Sequence, residues 1–249
     1  MGLLDAKVAI VSGIGPGMGR DIALAFAREG ADVVLGGRTE KKLRRVAQDV
    51  EALGRRALPV ACDIADEQAC RRLVERATGE LGGIDVLVNN AFHNGDFSTL
   101  LDANLDRWRE TMDVNLFGAL HMVRAVVPAM RERGDGRIIM VNTMSTQRIE
   151  PGWGAYAASK GALATATKTL ARELGPFGIR VNALHPGYIW GRSVEWYFGQ
   201  QAAERGVTPA DVYAEVADET CLKYLPDSAE MPAPPSTSPP IWPRRTPGR

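Results

Sequence analysis

Tyr156 and Lys160 stand four residues apart in GAYAASKGAL, a spacing that puts both side chains on one face of a helix. A free phenol titrates at about 10, and a neighbouring cation favours phenolate and draws that value toward working pH. So placed, Tyr156 can give a proton to a carbonyl oxygen, or take one from an alcohol, as hydride moves from or to a nicotinamide. Upstream, Ser145 closes the apolar run RIIMVNTMS, a place from which its hydroxyl can hold a substrate oxygen. Singly, each residue reads as ordinary: a packed Tyr, an exposed Lys, a turn Ser. Together they describe a proton-transfer site for a carbonyl/alcohol pair.

Such a site needs a nucleotide nearby, and the first apolar run is followed by SGIGPGMGR, with Gly13, Gly17 and Gly19 at a strand-to-helix junction. Glycine suits that turn because its backbone angles are unusual and a side chain would keep a pyrophosphate from the amides and the helix N-terminus. The end of the second strand should carry a selector: a carboxylate for the ribose diol, or a cation for a 2′-phosphate. The chain reads VVLGGRTEKK there. Gly37 offers no carboxylate and Arg38 offers a fork of donors, so NADP(H) is the expected cofactor, with NAD(H) as the alternative.

The elements that must position these residues follow from hydrophobic period. Short runs of Val, Ile and Leu alternate with longer amphipathic stretches, the pattern of βαβ units. Strands are expected at 7–12, 32–37, 56–62, 85–91, 136–144 and 179–185, and helices near 17–29, 39–53, 66–81, 106–133 and 155–174. Glycines such as Gly30, Gly54 and Gly134 close several helices. The fold class is therefore α/β, a Rossmann-like doubly wound parallel sheet with helices on both faces. No fixed-period repeat is visible. Residues 188–224, rich in Trp, Tyr and Phe around GYIWGRSVEWYF, read as a flap over the site.

With 249 residues, a single catalytic domain over 1–230 is expected. Lys plus Arg equal Asp plus Glu at 30 each, so no broad positive field exists to attract nucleic acid or an acidic membrane. Cys62, Cys70 and Cys221 have no CxxC spacing, which reads as reduced packing thiols and no metal site. The apolar segment Val8–Val11 is too short for a signal region or a membrane span. A cytoplasmic protein is the expectation.

At this point a resemblance enters. Over residues 5–228 the chain resembles the classical short-chain dehydrogenase/reductase family. The glycine motif TGxxxGxG matches Ser12, Gly13, Gly17 and Gly19, with Ser in place of Thr; YxxxK matches Tyr156 and Lys160; the active-site Ser falls on Ser145. The resemblance implies that Asn115 in DVNLFGAL helps hold a proton-relay water near the lysine. It implies further that Asp63 and Ile64 in CDI contact adenine, and that Met18, Asn89 and Ala91 line the cofactor. Pro186 and Gly187, with Ile189 beyond them, would flank the nicotinamide. It also implies a homodimer or homotetramer. Three positions depart from the pattern. Phe92 replaces the last Gly of NNAG and could send its ring into the site. The interval from Ser145 to Tyr156 is a couple of residues short, which makes Thr143 a rival for the hydroxyl role. Gly191 stands where a cofactor-contacting Thr is common, with Ser193 as a substitute.

From Met231 the sequence MPAPPSTSPPIWPRRTPGR is Pro-rich and has no strand pattern, where the family would supply a seventh strand. The sheet is thus expected to lack that strand, which puts assembly and activity in doubt. One reading is a natural disordered tail; the other is a frameshift. SPPIWP can be encoded so that the string read from its third base gives Ala-Ser-Asp-Leu-Ala, similar to the ASDLA that often precedes the family's last strand. Functionally, the leading reading is a dehydrogenase or reductase on a small-molecule carbonyl or alcohol. The alternatives are a catalytically inactive member of the fold, owing to its altered C-terminus, or an epimerase or lyase on the same fold. Phe92, His93, Trp153, Tyr188, Trp190, Trp196, Tyr197 and Phe198 are the candidate lining of an apolar pocket.

Overall fold

The computed structural model describes residues 2–230. Six strands, β1 (Val8–Ser12), β2 (Asp32–Gly37), β3 (Ala57–Ala61), β4 (Val86–Asn89), β5 (Gly136–Val141) and β6 (Ile179–Leu184), form one sheet in the order β3-β2-β1-β4-β5-β6. Every pairing is parallel, with Ile10 opposite Val34 on one side and Leu87 on the other. The expected strands match in number and place. β4 and β5 end earlier than expected, at Asn89 and Val141, because the chain turns there into the site.

The period of two along each strand divides the core. Ala9, Val11, Val33, Leu35, Ile139 and Val141 face one layer, packed by α1 (Met18–Arg28) and α2 (Glu40–Glu51) through residues such as Leu24, Phe26, Leu43 and Val50. Their neighbours Val8, Ile10, Val34, Leu87, Ile138 and Met140 face the other layer, under α3 (Glu67–Leu81), α5 (Ala119–Arg133) and α6 (Gly154–Leu174). Strands buried on both faces must read as continuous apolar runs, and β1, VAIVS, is buried at all five positions. Burying each such side chain contributes about 1.5–3 kcal/mol. Cys62 and Cys70 pack in this core, whereas Cys221 is exposed.

The stretch expected as one helix over 106–133 contains α4 (Leu105–Met112), a π-helical segment at Asp113–Gly118, and then α5. A π-bulge inserts extra backbone into a helix and commonly marks a functional position. Here it brings Asn115 fully inside the protein. Gly118 lies so near Ile64 that a Cβ would come within 2.7 Å of its side chain.

Beyond β6, α7 (Arg192–Arg205) and α8 (Pro209–Asp218) pack on each other around Phe198, Ala202, Val212 and Leu225. The expected flap is therefore a helical pair with its own small core. Its helix α8 starts on a reciprocal cap between Thr208 and Asp211. Among the described residues β6 is an edge strand, and the readings of the 231–249 tail lie outside the described residues. Among them, too, no helix is long and apolar enough to cross a membrane, and no group of three or more His, Cys, Asp or Glu is placed to hold a metal ion.

Candidate active site

In an open parallel sheet, ligands bind beyond the C-terminal strand ends where the order reverses, which here is between β1 and β4. The glycine turn after β1 lies at that point, and its glycines are required for different reasons. Gly13, at φ +84, lies against Ala91, whose Cα would be 2.4 Å from an added Cβ. At Gly19 a Cβ would meet the Gly13 carbonyl oxygen at 2.4 Å. Gly17, at φ +110, faces open space instead, with only Ser228 Oγ within 4 Å of a Cβ position. Two glycines thus permit close packing, and the third leaves the α1 N-terminus open to a phosphate.

Asn90, inside the Asn89–Ala91 segment that the resemblance places along the cofactor, completes that turn. Its Nδ2 donates to Gly13 O at 2.9 Å, while among the described residues its buried Oδ1 has no partner. A buried acceptor without a donor is costly, and Asn90 lies on the cavity wall. An orphaned acceptor and an open glycine cradle both fit a dinucleotide with ribose hydroxyls and a pyrophosphate. By contrast, Asn89 is turned into the core, where its Nδ2 donates to Ala119 O at 3.3 Å and its Oδ1 faces Ser12 Oγ. Asn89 and Ser12 therefore tie β4 to β1.

Farther along the strand ends, Arg38 is exposed after β2, and among the described residues it has no ion-pair partner. A side chain at Gly37 would meet the tip of Leu43 at 3.2 Å and Ile14 O at 3.4 Å, and Gly37 itself supplies no carboxylate to this strand end. Thr39, the N-cap of α2, makes no side-chain capping bond. Asp63 is exposed after β3, with Oδ1 accepting from the Ala65 N–H, and Ile64 is buried beside it.

A cavity of about 400 Å³ opens over β4 and β5. Its wall includes Gly17, Met18, Ser145, Tyr156, Lys160, Pro186, Gly187 and Ile189 of the residues expected from the sequence. Lys160 is almost wholly buried, its Nζ donating to Val141 O at 2.7 Å and lying 5.9 Å from the centre of the Tyr156 ring. Burial disfavours the ammonium and pushes its pKa down to about 8. Burial also raises the Tyr156 phenol, opposed only by a hydrogen bond with the Thr143 side chain. This reverses the sequence expectation of a phenol drawn down by its lysine. The reason is that loss of hydration penalises charge on both groups.

The Thr143 side chain is the one that opposes the rise of the phenol, and Ser145 lines the same cavity. Thr143 caps a short 3₁₀ turn, Met144–Thr146, by accepting from the Ser145 N–H at 3.2 Å, and the two hydroxyls are hydrogen-bonded at 3.2 Å. The short interval noted in the sequence leaves two hydrogen-bonded hydroxyls, Thr143 and Ser145, on the cavity wall with Tyr156. Asn115 stands below, its side chain clamped to the backbone of His93 by bonds of 2.7 and 2.9 Å, with Nδ2 also donating to Ser159 Oγ. Ser159 in turn donates to Tyr156 O at 2.8 Å, so the π-bulge braces the turn that carries the tyrosine.

The rest of the wall is aromatic. The Phe92 ring does enter the site, edge-on to Tyr156 with centroids 6.5 Å apart. Trp153 meets Tyr156 at 5.5 Å and Tyr197 at 5.1 Å, and Tyr188, Trp190 and Trp196 also line the space. Phe97, which no spacing rule flagged, packs on Trp153 at 4.8 Å. Two expected residues are corrected. Phe198 is fully buried in the small core of the helical pair. His93 is held below the cavity, where its Nδ1 meets Thr111 Oγ1 and the Gly95 N–H. At the rim Arg148 pairs with Glu150 and with Glu219, joining the loop after β5 to the end of α8. Gly191 is the N-cap of α7, and Ser193 lines the cavity beside it.

Comparison with known proteins agrees with this geometry. Residues 7–196 match the family model for short chain dehydrogenase. The chain is 35% identical over 234 residues to the oxidoreductase UcpA of Salmonella typhimurium, covering 93% of this chain and 86% of that one. Among solved structures, an NAD+-bound xylitol dehydrogenase superposes with a TM-score of 0.87 at 31% identity, covering 92% of this chain and 90% of that one. L-Sorbose reductase from Gluconobacter frateurii, complexed with NADPH and L-sorbose, gives 0.85 at 33% identity, covering 92% and 88%.

Proposed function

The chain belongs to the short-chain dehydrogenase/reductase family and is an NAD(P)-dependent oxidoreductase, and on that premise we propose that it interconverts a hydrophobic ketone and its alcohol, with NADP(H) preferred. One observation carries the reading: the Tyr156 phenol faces an aromatic cavity, with the buried Lys160 ammonium and the Thr143 hydroxyl beside it. Bound cofactor supplies or takes the hydride. Gly13, Gly17, Met18, Gly19, Asn90, Pro186, Gly187 and Ile189 would hold it, with Asp63 and Ile64 at the adenine end and Arg38 at a 2′-phosphate. Ser12, Asn89 and Ala91 would hold the shape of that cradle from below.

In the reducing direction Tyr156 Oη gives its proton to the substrate oxygen. The phenolate left behind is favoured by the Lys160 charge and by a hydrogen bond from Thr143. Ser145 orients the Thr143 hydroxyl, and Asn115 positions the lysine and tyrosine turn. A neutral phenol and a lysine with a pKa of about 8 suit proton donation near neutral pH.

The neighbours act on polyols and sugars by their names, xylitol and L-sorbose, whereas rings dominate this wall, which favours an aromatic or alicyclic substrate. Residues 188–224 serve as the flap over it. The reading includes a cytoplasmic setting, where the free thiols stay reduced, and a homodimer or homotetramer. The test is turnover of 1-tetralone and xylitol with both cofactors. Tetralone reduction by NADPH supports the reading; turnover of the polyol alone would sink it.

A further inference from the structure

Tyr197 of α7 lies on the cavity wall, and its hydroxyl has an unusual set of partners. Trp153 Nε1 donates to Tyr197 Oη at 3.2 Å, and Gln201 Nε2 donates to it at 2.7 Å. An indole N–H can only donate, and so can an amide nitrogen. A phenol has two lone pairs and one proton, so both acceptor positions are filled while the proton is still to be placed. Among the described residues no group accepts from Tyr197 Oη. Its surroundings are rings: Phe97 stacked at 6.2 Å, Trp153 edge-on at 5.1 Å and Phe198 at 6.1 Å. The result is a hydroxyl donor held from both sides and set into an apolar wall.

Trp153 also fixes where that donor stands relative to the chemistry, because its one indole packs edge-on against both Tyr156 and Tyr197. Both phenols therefore contact a single bicyclic ring. We infer that Tyr197 is a specificity-determining residue whose hydroxyl donates to a second oxygen of the substrate, so that the preferred substrates are ring ketones bearing another acceptor oxygen. The inference rests on the hydrophobic-ketone reading and narrows it. Sites that hydrogen-bond a substrate oxygen discriminate strongly against analogues without it, because their own polar group is left unpaired.

The test compares 1-decalone with decalin-1,5-dione, which share a carbon frame and differ in the distal oxygen. Binding to the NADPH-loaded protein is read by quenching of tryptophan fluorescence, since Trp153 lines the cavity and packs on both phenols; turnover is read separately. The wild type should favour the dione by about 10-fold, the scale of one hydrogen bond in an apolar site. In Tyr197→Phe that ratio should fall to about one, and in Gln201→Leu it should persist, because the Tyr197 proton is still free. A ratio near one in the wild type, or one unchanged in Tyr197→Phe, overturns the inference. So does a preference that emerges only in Gln201→Leu, which would mean that the amide takes the proton. Because binding is measured apart from turnover, a protein that binds the dione selectively but reduces neither ketone would contradict the proposed reaction and leave the role of Tyr197 standing.

Discussion

Replacing Lys160 by methionine should stop the reaction and stabilise the fold. Lys160 is buried among apolar groups, and its pKa is displaced from 10.5 to about 8 by lost hydration. At 1.36 kcal/mol for each pKa unit, keeping the ammonium inside at neutral pH costs about 3 kcal/mol. Methionine fills similar volume without charge. Against that gain, Val141 O loses the Nζ donor at 2.7 Å, and an unpaired buried carbonyl costs about 1–3 kcal/mol. The expected net change is a gain of about 0–2 kcal/mol, at most a few degrees in Tm for a chain of this size. The pH dependence carries the sharper signature. Between about 8 and 10.5 the folded wild type has released this proton and the unfolded chain still holds it, so wild-type stability rises with pH relative to the variant. The variant's advantage should therefore be full below about 8, shrink through that window and reverse above it, where only the lost Nζ–Val141 O bond remains. Urea unfolding of both proteins near neutral pH and at about pH 10 measures the difference. A variant less stable at neutral pH, or an advantage independent of pH, would refute the account of Lys160 as a desolvated charge.

Three further outcomes follow from the site. Reduction should hold through neutral pH and fall above about 8 as Lys160 loses its charge, while oxidation, which needs phenolate, should rise with pH; paired kcat/KM profiles check both. Arg38→Ala should cut the preference for NADPH over NADH by about 10-fold, the loss of one charge-assisted contact, and equal losses for both cofactors would contradict the assignment. Thr143→Ala should lower turnover by about 10²-fold, the scale of one positioned donor, with a smaller loss in Ser145→Ala; the reverse order would restore the direct role to Ser145.

How far the sequence reaches is visible in particular residues. The six strands were legible because a parallel strand buried on both faces must be a run such as VAIV, and the glycine turn because a phosphate and two close backbone approaches leave room for nothing larger. Boundaries were less legible: RIIMVNTMS looks apolar to Met144, yet the strand stops at Val141 and Thr143 caps the 3₁₀ turn that follows. The π-bulge at Asp113–Gly118 has no periodic signature, since one inserted residue is invisible in a helical pattern of this length. Nor does spacing reveal which rings face a cavity. Phe198, expected on the cavity wall, is instead buried because the α7–α8 pair makes a small core of its own, and Phe97, which had no expected role, lines the cavity. The opposed titration shifts of Tyr156 and Lys160 depend on burial, which two residues four apart do not encode.

The central claim is that Tyr156 is the proton donor of an NADPH-dependent ketone reductase. It is tested most directly by a single turnover, in which NADPH-loaded protein is mixed with 1-tetralone and the loss of reduced nicotinamide absorbance is followed. Tyr156→Phe keeps the ring packed against Phe92 and Trp153 and removes only the hydroxyl, so NADPH should bind it as it binds the wild type. The account predicts that hydride transfer then slows by about 10²-fold or more. Transfer at a near-wild-type rate in Tyr156→Phe, with cofactor binding intact, would contradict it.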